Sequence, residues 1–84
     1  MDNKTLEYMG ERVDKARKLQ ERIKETQKRI DILLKDELSS VNFSINNSSV
    51  FFIKNKAQLN DIKAATINAL ENYRDSLQHE LDEL

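Results

Sequence analysis

Eighty-four residues with a formal net charge of −1 make one domain at most, with a marginal core, and favour neither nucleic acid nor membrane through whole-chain electrostatics. The chain has no Cys, which excludes disulfides and thiolate metal sites. Charged residues are 35% and aromatics 6%, Pro is absent and Gly10 is the one Gly, so long helices meet almost no breaker.

No apolar run reaches the length of a membrane span, and the start, Met-Asp-Asn-Lys-Thr-Leu-Glu, lacks a signal-peptide core. A cytoplasmic protein is the expectation.

Residues 3–37 read as one helix, with Asp2 or Asn3 able to cap its first N–H groups. A 3-4 spacing runs through Leu6, Met9, Val13, Ala16, Gln20, Ile23, Gln27, Ile30 and Leu34, a heptad with Leu6 at a and Met9 at d. Gln20 and Gln27 fill two a positions, where polar residues set register at a cost in stability. Pairs such as Glu25 with Arg29 support the helix at i,i+4. Gly10, inside the helix, suggests close approach of another helix, with a tolerated defect as the alternative.

From Leu38 to Lys54 the period changes from 3.6 to 2. Val41, Phe43 and Ile45 alternate with Asn42 and Ser44, then comes Asn46-Asn47, then Val50-Phe51-Phe52-Ile53. Asn tolerates the positive φ of a tight turn, so the stretch 38–54 reads as a β-hairpin, with an irregular loop as the alternative. A second helix is predicted over 55–83. Asn55 with Gln58 three residues on is a capping-box signature, and Leu59, Ile62, Thr66, Leu70, Tyr73, Leu77, Leu81 and Leu84 form its seam.

The fold class that follows is all-α dominated: an antiparallel two-helix coiled-coil hairpin with a short β-hairpin at the fold-back. A single register folds the chain at Asn46-Asn47. It places Leu34 opposite Leu59, Ile23 opposite Leu70 and Ala16 opposite Leu77. It sets Gln27 against Thr66 and Gln20 against Tyr73, two polar layers that can hydrogen-bond. In the hairpin it pairs Val41 with Phe52 and Phe43 with Val50. Leu19, Leu33 and Ile67 fall off this seam. Apolar residues repeated at helical spacing off one seam imply a second contact, so these three are expected to join copies of the chain into an oligomeric bundle.

No catalytic constellation is evident. His79 is the one His, on a charged helix end without the ligand set of a metal site, and no Gly-rich phosphate loop is present. The reading is of a non-enzyme with no cofactor and no metal. Between Arg12 and Arg29 the chain carries Arg12, Lys15, Arg17, Lys18, Arg22, Lys24, Lys28 and Arg29 against three acids. A basic helix can track phosphates, so nucleic-acid binding is the alternative function. These cations spread over b, c, e and f positions, as on the solvated face of a coiled coil. The acidic C-terminal segment lies beside them in the antiparallel register.

The main functional expectation is a protein partner, or a second copy, held at the tip 41–53. In the sequence-derived register Val41, Phe43, Ile45, Val50 and Phe52 rest on the helix ends. Phe51 and Ile53 then point outward among Asn42, Ser44 and Ser49, and together with Phe43 and the turn residues Asn46 and Asn47 they form the contact surface. The order helix, β-hairpin, helix also resembles a β-type prefoldin subunit in layout. That resemblance implies a chaperone subunit whose hairpins assemble.

Overall fold

A computed structural model describes the backbone of residues 3–84 and the side chains of residues 10–84. The chain forms α1 (Asn3–Lys35), β1 (Val41–Ile45), β2 (Ser48–Ile53) and α2 (Lys56–Asp82). The 33-residue α1 and 27-residue α2 pack against each other, and β1 pairs with β2. The molecule is a rod with extents of 62 × 28 × 16 Å. Leu6, Met9 and the expected caps Asp2 and Asn3 lie outside the residues whose side chains are described.

The core is narrow. Among the described side chains, Leu19, Ile30, Leu59 and Leu77 are its buried apolar members, joined by Thr26 at 3% exposure. Ala16, Ile23, Gln27 and Leu33 are half-buried on α1, as are Ile62, Lys63, Ile67, Leu70, Arg74 and Leu81 on α2. The seam of α1 is therefore Ala16, Leu19, Ile23, Thr26, Ile30, Leu33. The predicted ladder shares Ala16, Ile23 and Ile30 with it and differs by one residue at each other step. One residue is about 100° of helix, which carries Gln20 and Val13 into solvent and leaves Leu34 64% exposed.

This corrects the placing of Leu19, Leu33 and Ile67 off the helix–helix seam. Leu19 is buried within the chain, and Leu33 and Ile67 are half-buried along the same seam. Both polar layers are corrected as well. Thr66 and Tyr73 are exposed, and Gln27 meets Arg74, whose Nη1 donates to Gln27 Oε1 at 2.7 Å. Arg74 can occupy the flank of the seam because its alkyl stem lies on apolar surface while its head reaches polar partners, here Gln27 and Asp75.

Thr26 is the residue that shifts the register. Its hydroxyl donates to the Arg22 carbonyl at 2.7 Å, so it enters the core with its polar atom satisfied. What it presents to α2 is then a β-branched, mostly apolar surface. Gln cannot do this so cheaply, since its amide needs several partners.

Asn55 caps α2 as expected, accepting from the Gln58 backbone N–H at 3.1 Å. Lys63 Nζ donates to the Asp36 carbonyl at 2.8 Å, tying α2 to the C-terminal end of α1. A Cβ on Gly10 would meet nothing within 4 Å, so no helix approaches there and Gly10 is an exposed weak point of α1.

Candidate partner-binding surface

The hairpin sits beyond the ends of both helices. Its turn is Asn46-Asn47, with φ of 54° and 64°, the two positive values of a type I′ turn. Asn is among the few residues other than Gly that visit this region routinely. Ile45 pairs with Ser48 and Ser44 with Ser49. The ladder then shifts: Phe43 pairs with Phe51, Asn42 with Phe52 and Val41 with Ile53. Val50 is the extra residue, a β-bulge in β2.

The bulge inverts the predicted faces, because a one-residue slip turns every following side chain over. Phe51 and Ile53 do not point away from Val41, Phe43 and Ile45. They share their face, and the rings of Phe43 and Phe51 stack with centroids 4.9 Å apart at 19°. Phe52 lies instead on the face of Asn42, Ser44 and Ser49, where Ser49 Oγ donates to Asn42 Oδ1 at 2.8 Å and Lys54 Nζ stands 5.9 Å above the Phe52 ring. The pairings expected from sequence, Val41 with Phe52 and Phe43 with Val50, are each displaced by one residue.

Neither face is covered. Phe43 is 39% exposed, Phe51 48% and Phe52 58%, and Ile45 and Val50 are more than half exposed. Only Val41 and Ile53, where the strands leave the helices, are half-buried. No Asp, Glu, Lys or Arg occurs from Leu38 through Ile53, in a chain where such residues are 35% of the whole. A contiguous apolar patch in an uncharged surround is the composition of an interface core.

The eight basic residues from Arg12 to Arg29 are all exposed. The helical pitch divides them. Lys15, Lys18, Arg22 and Arg29 lie on one flank, whereas Arg17, Lys24 and Lys28 face away from α2. Lys15, Lys18 and Arg22 line a shallow groove together with Glu80, Glu83 and Leu84 of the α2 end, and Arg12 donates to the Leu84 carbonyl. Negative groups of the same chain thus stand beside the positive ones. Among the described residues, no cluster of three or more His, Cys, Asp or Glu could hold a metal ion. His79 Nε2 lies 3.0 Å from Glu83 Oε1 on the exposed surface. No described helix is long and apolar enough to cross a membrane.

Comparison with protein-family models, with curated proteins and with solved structures found no match to this chain.

Proposed function

We propose that this protein is a non-enzymatic protein–protein interaction module, a small adaptor, regulator or inhibitor that uses residues 41–53 as its contact surface. One observation carries the reading: the largest exposed apolar side chains of the hairpin, Phe43, Phe51 and Phe52, crowd a segment with no charge. A hairpin of two strands is marginal in water on its own, and a partner that covers it stabilises it. The bulge makes the Phe43–Phe51 face the centre of that contact. Asn46 and Asn47 shape the tip, and Asn42, Ser44 and Ser49 supply hydrogen-bonding groups on the reverse side around Phe52.

The test pairs stability with contact mapping. Phe43→Ser with Phe51→Ser is expected to leave helicity unchanged and to abolish crosslinks between residues 41–53 and any bound protein in an extract. Crosslinks that map to α1 and α2 and survive the double substitution would refute the reading. So would unfolding of the helices, which would make the two rings part of the core.

Nucleic-acid binding through Arg12–Arg29 is the competing reading. Short DNA and RNA are expected to show no binding at moderate salt, because Glu80 and Glu83 already stand against the flank that would track phosphates. A complex whose affinity falls steeply with salt by counterion release would favour the basic helix over the tip.

A further inference from the structure

We infer that the occupant of the hairpin is a second copy of this chain, joined through the outer edge of β1 in an antiparallel, two-fold contact. The inference rests on the tip being a contact surface and specifies which edge is used and what fills it.

The backbone geometry selects the edge. In a two-residue hairpin the residues flanking the turn, Ile45 and Ser48, exchange both backbone hydrogen bonds. Alternation along β1 then turns the N–H and C=O groups of Phe43 and Val41 toward β2, and those of Asn42 and Ser44 outward. Four backbone groups on β1 thus present a regular, unpaired edge. The other edge belongs to β2, where the extra residue Val50 breaks the spacing, and a bulge is one of the devices that blunt an edge against pairing. β1 carries none of the usual protections: no charged residue, no Pro and no bulge.

The same edge is self-complementary. Two copies of β1 placed antiparallel about Phe43 set Asn42 of each copy opposite Ser44 of the other, and all four outward groups of each strand are used. Phe43 meets its symmetry mate in a non-hydrogen-bonded pair, the closer kind, with Cα atoms roughly 4.5 Å apart. The Phe43–Phe51 stack then continues across the axis as four rings in one row, a cross-strand aromatic ladder. The sheet grows to four strands, past the point at which a sheet is independently stable. Because the strands are uncharged, apposing identical copies brings no like charges together. Because they are antiparallel, the two helix pairs leave the sheet in opposite directions, so their charged surfaces do not meet.

Light scattering on a size-exclusion column at tens of micromolar is expected to give twice the chain mass of 9.8 kDa. Ser44→Pro removes one outward N–H of β1 without touching the β1–β2 ladder, and the mass should return to that of one chain with helicity retained. Ser49→Pro, the equivalent change on the β2 edge, should leave the dimer. A second measurement does not depend on Pro being tolerated. Phe43→Cys should link into a disulfide dimer under mild oxidation with oxidised glutathione, since its Cα separation across the axis suits a disulfide, whereas Phe51→Cys should not. A single-chain mass for the unmodified protein at these concentrations would overturn self-pairing while leaving the tip open to another protein. A dimer that resists Ser44→Pro but dissociates with Ser49→Pro, or crosslinks through Phe51→Cys alone, would overturn the choice of edge.

Discussion

Ile30 and Phe52 are both large apolar side chains, yet the first is 2% exposed between two helices and the second is 58% exposed on a bare strand. The helix pair satisfies itself. Its backbone groups bond within each helix, its apolar seam closes against the partner helix, and its buried hydroxyl at Thr26 has an acceptor four residues back. The hairpin satisfies only its inner ladder and leaves both faces and both edges to solvent. The two regions differ in what completes them. The buried apolar residues of one described helix pack on the other helix of the same chain, whereas the hairpin has no third element to pack on. Stability should therefore reside in α1 and α2, and association in β1 and β2.

The comparison breaks most visibly in the seam. Ile30→Ala should cost about 2–5 kcal/mol, as expected for a large-to-small change at a buried site, enough to unfold a marginal chain of this size. Leu34→Ala, four residues on but 64% exposed, should change stability by less than about 0.5 kcal/mol. Urea titration followed by circular dichroism measures both. Equal effects would mean that the seam follows the Leu34 ladder after all. The next effect in size is at the junction of the two regions. Asn55→Ala removes the acceptor for the Gln58 N–H and should lower stability by about 1 kcal/mol, seen as a lower melting temperature with little loss of helicity at 10 °C. Gly10→Ala should act in the opposite direction. Nothing occupies the space its Cβ would take, so the substitution is expected to stabilise by about 0.5–1 kcal/mol, detectable as a higher urea midpoint with an unchanged slope. The smallest effect belongs to the hairpin. Phe43→Ser with Phe51→Ser should shift the helix melting by less than about 0.5 kcal/mol when measured at a dilution where the unsubstituted chain is also monomeric. A large shift there would erase the distinction between the two regions.

Much of this molecule is legible in residue order. With no Pro and one Gly, α1 runs on until the period changes near Leu38, and the observed end at Lys35 lies within the usual fraying of a helix terminus. Asn55 marks the start of α2 through chemistry that is local by nature, a side-chain oxygen reaching an N–H three residues on. Asn46-Asn47 marks the turn for the same kind of reason, since positive φ is a property of single residues. The tip 41–53 could be singled out as an uncharged apolar stretch because its lack of charge is visible before any folding.

Register is what only the tertiary structure decided, in both regions. Two apolar ladders overlap on α1, sharing Ala16, Ile23 and Ile30, and they differ by choosing Gln20, Gln27 and Leu34 or Leu19, Thr26 and Leu33. Local propensity cannot separate them, because neighbouring residues on a helix are equally helical whichever face is buried. The choice depends on what α2 presents and on whether each buried polar atom finds a partner, and Thr26 with Arg22, then Gln27 with Arg74, resolve it. In the hairpin, period-2 alternation identifies the strands, but one extra residue reverses which side chains share a face. Whether Val50 bulges depends on the pairing across the strands and the stacking of Phe43 on Phe51, contacts between residues eight positions apart that only form once the chain has turned back at Asn46-Asn47.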